Sequence, residues 1–360
     1  MKGNKGEWSE AYVFLKLLAD GKIYAADEDL EKIKDIYFPI IKIIREETKG
    51  KINEYYTGEN IEVFINGSKV HEISSTEFDR EANSLLRSIK SGKKSAFEVQ
   101  STEMFLNGIE CYKISAPSSK KADIIMKIQD INTGYNPTVG FSIKSELGNA
   151  PTLLNAGKTT NFTFEIIGED EFIVKEVNSI YKASGGKEHI DLKGRINNII
   201  DNNSYLEYSD VDNQTFKDNL ILIDSYMDKI IAETLLYFYR DGINNCKDMV
   251  EKLKNENPLN YGNVNAYEYK FKKFLSSVAL GMKPATEWDG QDEANGGYII
   301  VTRQGDVLAY HIYNRNCFED YLLNNTKYET ASTGRHRFGT AYNENNKKFI
   351  KLNLQIRFIK

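Results

Sequence analysis

The sequence predicts a mixed α/β (α+β) protein, with helices at the front, a central mixed sheet and an appended C-terminal region. Three observations carry that expectation. An amphipathic helical run opens the chain, four short apolar runs follow one another between Lys121 and Val177, and a long helical pattern beyond residue 214 gives way to strands again near the C-terminus. At 360 residues, 41% of them hydrophobic, the chain has enough apolar material to bury a core without covalent staples.

The run EWSEAYVFLKLLADG places Trp8, Ala11, Tyr12, Leu15 and Leu18 at helical spacing, and Gly21 stops it, so residues 6 to 20 read as a helix. Residues 28 to 48 read as a second helix, with Ile33, Ile36, Tyr37, Ile40, Ile41 and Ile44 as its stripe and Gly50 just beyond. IEVFING and SKVHEIS alternate about an Asn-Gly pair, the strongest short hairpin signal. TEFDREANSLLRSIKSG continues as a helix that ends at Gly92. ADIIMKI, VGFSIKS, NFTFEII and EFIVKEV read as strands. TFKDNLILIDSYMDKIIAETLLYFYRDG reads as one long core helix, with Phe216, Leu220, Ile223, Met227, Ile230, Thr234 and Tyr237 on one face and Gly242 as its cap. GGYIIVTRQGDVLAYHIY is a hairpin about Gln304, Gly305 and Asp306, and the alternation of FIKLNLQIRFI marks a strand solvated on one face. The expected organisation is a helical and hairpin region over 1–100, a core over 101–214, and a helical and strand region over 215–360.

Cys111, Cys246 and Cys317 are widely spaced and odd in number, which indicates neither a disulfide framework nor a zinc site and fits a reducing, cytoplasmic setting. No apolar run approaches the roughly 20 residues a spanning helix needs, and MKGNKGEWSE lacks the apolar stretch of a secretory signal, so no membrane association is expected. The formal net charge of −5 gives no global attraction to nucleic acid. Residues 321–360 differ. They carry Lys327, Arg335, Arg337, Lys347, Lys348, Lys351, Arg357 and Lys360 against Glu329 and Glu344, a local balance of +6.

Chemistry concentrates around Lys144. QDINTGYNPT is rich in turn formers, and a turn centred between Thr133 and Gly134 pairs Asp123 with Lys144. Side-chain alternation then puts Ser142, Lys144 and Glu146 on one face and Phe141 and Ile143 in the opposite packing layer. Hydrolysis of a phosphodiester needs a divalent cation held by carboxylates and a positive group that steadies the attacking water and the developing charge. Asp123 suits the first role and Lys144 the second. An amphipathic hairpin with a cross-strand ion pair, worth roughly 0.2–1 kcal/mol, would show the same spacing.

KADIIMKIQD followed by GFSIKSELGNAPTLLNAGKTTNF resembles the catalytic strands and following loop of the HpaII-type restriction endonucleases, members of the PD-(D/E)XK nuclease superfamily. NKGEWSEAYVFLKLLADGKIYAAD and YHIYNRNCFEDYLLNNTKYETASTGRHRFGTAY resemble the same family, so the likeness spans both ends and the middle of the chain. It implies a PD-(D/E)XK core over 101–214 and an Mg²⁺-dependent type II restriction enzyme. The enzyme would be a homodimer cutting double-stranded DNA at a short palindrome such as CCGG, with a cognate DNA methyltransferase as its genetic partner. Asp123 falls on the superfamily's metal-binding aspartate and Lys144 on its lysine. Ser142 stands at the acidic position and departs from it, which leaves a carboxylate to be supplied from elsewhere: Glu10 (or Glu7) on the first helix, Glu146 past the strand end, or Glu165 on the next strand.

Beyond the lysine strand, NAPTLLNAGKTTNF reads as a short helix capped by Asn149 with Pro151 in its first turn, and Asn149, Asn155, Lys158, Thr159, Thr160 and Asn161 are polar groups for phosphate or base contacts. In STGRHRFG, Arg335 and Arg337 suit guanine O6 and N7, with His336 and Thr333 beside them. Two other functions stay open on these residues: a nuclease of the same fold serving repair or recombination, and a non-catalytic DNA-binding protein in which Ser142 marks a decayed site.

Overall fold

The N-terminal helix forms where its periodicity places it, over Lys5–Asp20. Asn4 accepts the Gly6 and Glu7 amides, Glu7 returns a bond to the Asn4 amide as a capping box, and Gly21 closes the end at φ 62°. A computed structural model describes the whole chain except residues 28–29, 94, 118–119, 132, 169–173, 312–313 and 360. Trp8, Leu15 and Leu18 of this helix are fully buried. They join Phe141 and Ile143 of the lysine strand in one apolar core.

The described residues form two compact units: Met1–Pro151 with Asp292–Phe318, and Thr152–Gln291 with Glu319–Ile359. Neither boundary falls at residue 100 or 214, because strand pairing joins segments far apart in sequence. The first unit is built on a nine-stranded sheet in the order Lys22–Ala26, Val307–His311, Gly297–Val301, Thr138–Ser145, Ile124–Ile128, Lys32–Thr48, Lys51–Tyr56, Asn60–Ile65 and Ser68–Ser74. Lys22–Ala26 also pairs with Lys32–Thr48, so six of these strands close on themselves. The expected N-terminal region is thus part of the same sheet as the lysine strand, which lies parallel to Gly297–Val301 from the far end of the sequence.

In the second unit, Tyr205–Val211, Asn161–Ile167, Lys347–Asn353 and Ala341–Glu344 form one sheet, and Thr152–Leu154, Ile356–Phe358 and Thr326–Tyr328 form another. The helices Gln214–Ile223, Met227–Leu236, Cys246–Glu256 and Asn265–Leu280 belong to the same unit.

Several elements differ from expectation for identifiable reasons. Residues 32–48 form a long strand and not a helix. Pro39 cannot donate in a helical interior, and the run is dense in isoleucine, which packs well on a pleated sheet. A register shift between Ile40 and Lys42 moves the buried set from Phe38 and Ile40 to Ile43 and Glu47, and this irregular spacing imitated a helical stripe. The expected long helix breaks at Asp224, whose extended backbone separates two helices before a terminal π turn over Tyr237–Asp241. EFIVKEV lies partly outside the described residues, and Val174–Asn178 is helical. Thr152–Leu154 is an edge strand where a helix capped by Asn149 was expected, since it finds Ile356–Arg357 as a distant partner. FIKLNLQIRFI divides at Leu354 into strands of two different sheets.

Both hairpins form as expected. Asn66 and Gly67 take positive φ in the first, and Gly297–Val301 pairs with Val307–His311 in the second.

Candidate active site

Two strands and the first helix bring the candidate catalytic groups together. Ile124 pairs with Phe141 and Met126 with Val139, so the register lies two residues away from the expected one. Continued by one residue, this ladder sets Asp123 opposite Ser142 and not Lys144. A two-residue shift preserves the facing of every side chain, whereas a one-residue shift would have scattered the cluster. The Asp123 amide bonds the Phe141 carbonyl, which anchors the aspartate at the strand's entry.

Asp123 Oδ2 accepts two hydrogen bonds, from Ser142 Oγ at 3.1 Å and from the Ile143 amide at 2.6 Å. Lys144 Nζ donates to Ser142 Oγ at 3.1 Å. Ser142 is 3% exposed and therefore sits as a neutral bridge between carboxylate and ammonium. The Lys144 ammonium also lies 5.3 Å from the ring centroid of the buried Tyr298, which faces Ser142 across the parallel pair. That tyrosine escaped sequence reading because nothing local indicates which strand would pair beside the lysine.

Glu10 reaches this cluster from the N-terminal helix. Burial, and next the charge of Asp123, push its carboxyl up to about 8, while a hydrogen bond from the Ala116 amide and the charges of Lys144 and Arg45 oppose the rise. Asp123 and Glu10 are thus near enough to repel. Arg45 is held in turn by Glu47 at 2.9 Å and by the Lys113 carbonyl at 2.8 Å. A narrow cleft beside Asp123 is lined by Arg45, Lys113, Ser115, Ala116 and Ile124. The other candidate acids lie elsewhere. Glu146 is exposed in the turn after the strand and accepts the Arg303 amide. Glu7 is committed to the helix cap, and Glu165 pairs with Lys347 in the second unit.

Among the described residues, no group of three or more His, Cys, Asp and Glu side chains surrounds a common point. The available anionic donors are the two carboxylates, with the Ser142 hydroxyl beside them. That set suits Mg²⁺, which keeps several waters and takes one or two carboxylates. A dication there would also relieve the repulsion that raises Glu10.

The candidate DNA-reading residues sort by exposure. Asn149, Asn155 and Lys158 are exposed. Asn161 is 2% exposed, donates to the His336 carbonyl at 3.0 Å and accepts from Asn353 at 2.7 Å. Its amide is used inside the fold, which corrects the expectation of a direct contact. Within the basic C-terminal segment, Lys347, Lys351 and Arg357 pair with Glu165, Asp212 and Glu329. Arg335 and Arg337 are exposed and have no carboxylate partner among the described residues. His336 is half-buried, and burial followed by the charge of Arg335 lowers its pKa, which favours the neutral ring.

Comparison with known proteins identifies the family of the whole chain. Residues 4–358 match the family described as HpaII restriction endonuclease. The chain is 44% identical over 365 residues to the type II restriction enzyme HpaII of Haemophilus parainfluenzae, covering 99% of this chain and 98% of that enzyme. No solved structure matches.

Proposed function

The chain belongs to the HpaII restriction endonuclease family, and from that premise we propose that it hydrolyses double-stranded DNA at a short CCGG-like palindrome with Mg²⁺ and a PD-(D/E)XK-type core. The observation that carries this reading is the convergence of Asp123, Ser142, Lys144 and Glu10 where two interior strands of the sheet meet the first helix.

Asp123 and Glu10 would hold Mg²⁺, which when bound would lower the pKa of a water and offset charge on the phosphate. Lys144 orients the attacking water and balances the negative charge that develops on the phosphoryl oxygens. Ser142 aligns the aspartate with the lysine, and the Tyr298 ring restricts the lysine's swing. Glu10 takes the part of the acid absent at position 142. Arg335 and Arg337 present guanidinium forks to guanine, and Asn155 and Lys158 suit phosphates. A palindrome cut in both strands implies a homodimer with one such site per subunit, and a methyltransferase that protects the host's own copies of the sequence.

Digestion of plasmid DNA with and without Mg²⁺, followed by sequencing of the ends, tests the reading. Discrete fragments sharing one end sequence are expected. Scattered ends would instead favour a repair nuclease, and intact DNA at every Mg²⁺ concentration would overturn catalysis. Asp123→Ala and Lys144→Ala should each lower cleavage by at least about 10³-fold while DNA binding persists. Full activity in either variant would displace the proposed site.

A further inference from the structure

The exposed turn Thr333–Arg337 is held from beneath by buried polar groups, and its tip adopts an unusual backbone. Arg337 ends the short helix Thr333–His336 at φ 55° and ψ 55°, in the left-handed region where glycine or asparagine is the ordinary choice. A non-glycine residue kept there by its surroundings points to a use for its side chain. Three contacts supply that constraint. Asn161 Nδ2 donates to the His336 carbonyl at 3.0 Å, Arg195 Nη1 donates to the Gly339 carbonyl at 2.6 Å, and the Gly339 amide bonds Lys351 O at 2.8 Å.

Arg195 is 1% exposed, and among the described residues it has no carboxylate partner. Its guanidinium instead spends four hydrogen bonds on the Ile180, Asn178 and Gly339 carbonyls and the Asn178 side chain. Asn178 also exchanges two bonds with the backbone of Ala341. A buried guanidinium without a carboxylate is a costly way to fill a core, and apolar packing would serve stability as well. What the arginine adds is a fixed spacing between three chain segments, one of which carries the turn.

We propose that Arg195 and Asn161 are positioning residues for sequence readout, which hold the Arg335–Arg337 turn in the one backbone geometry that presents both guanidinium groups to guanine-containing DNA. This rests on the reading of Arg335 and Arg337 as base contacts. Neither positioning residue touches DNA; each acts through the turn.

The test compares binding of a duplex containing CCGG with binding of an equal-length duplex lacking it, by fluorescence anisotropy in EDTA at one fixed salt concentration. Arg337→Ala should lower the ratio of the two affinities about tenfold. Arg195→Met and Asn161→Ala should lower it by a similar factor with binding to the unrelated duplex unchanged, and Arg195→Lys should recover part of the loss. A purely structural role would leave the ratio at its wild-type value in the folded variants. If Arg195→Met does not fold, Asn161→Ala decides on the same ratio. Loss of the ratio in Arg337→Ala but not in Arg195→Met or Asn161→Ala overturns the positioning role and leaves the turn as the reader. An unchanged ratio in Arg337→Ala removes the turn's role and the proposal with it.

Discussion

Glu10 carries opposed demands. Its carboxyl is half-buried beside Asp123 and its pKa is raised to about 8 from an ordinary 4.5, chiefly by burial. A carboxyl raised on folding contributes stability that is fully present below the unfolded pKa and is lost as pH rises through the folded one. The protein without metal should therefore lose stability between about pH 4.5 and pH 8 on this account. Glu10→Gln removes that dependence while its amide oxygen still accepts from Ala116. The variant should match the wild type at pH 4.5 and become progressively the more stable protein as pH rises toward 8.5, read from urea unfolding in EDTA. Cleavage should fall at every pH. Equal stability of the two proteins across this range would show that neither burial nor Asp123 holds the Glu10 carboxyl above its ordinary range. Part of this site was legible beforehand: the alternation of GFSIKSELG put Ser142 and Lys144 on one face, and a register error of two left Asp123 on it as well. Tyr298 and Arg45 were not legible, because they arrive through strands whose pairing no local pattern specifies.

At the scale of elements, the short helix Thr333–His336 makes the clearest exchange of stability for side-chain chemistry. Left-handed backbone costs a non-glycine residue roughly 1–2 kcal/mol, and glycine returns part of that as lost chain entropy. Arg337→Gly should therefore stabilise the protein by about 0.5–1 kcal/mol, measured by urea unfolding, while the proposed preference for CCGG-containing DNA falls. A gain in stability with undiminished preference would make the turn an ordinary solvated loop. The elements that were legible carry their own punctuation: Gly21 after the first helix, Asn66-Gly67 in the hairpin, and Gly305 in the last hairpin. The strand Lys32–Thr48 was misread because its bulge near Ile41 breaks the period-two alternation, and Pro39 was the local signal against a helix. The break at Asp224 has no such mark, since the apolar stripe runs across it.

For the whole molecule, the net charge of −5 sets the terms on which DNA can bind. Attraction must come from local groups that lack internal partners, and the pairing of Lys347, Lys351 and Arg357 removes much of the apparent basic tail from that supply. The proposed catalytic cluster occupies one unit and the proposed reading turn the other. This division was not legible, because the second unit interrupts the first between Pro151 and Asp292 without a proline-rich or low-complexity linker.

One chain holds one Asp123–Ser142–Lys144 cluster, so the proposed cut through both strands at a single palindrome predicts two subunits related by a twofold axis. Co-expression of wild-type and Asp123→Ala chains bearing different tags, with purification through both, isolates dimers with one working site. On supercoiled plasmid these dimers should accumulate open circles at about the rate at which the wild type makes its first cut, with linear product delayed until a second dimer engages the opposite strand. If the chain acted as a monomer, purification through both tags would recover no mixed species. Linear product formed without an open-circle intermediate would mean that one cluster serves both strands.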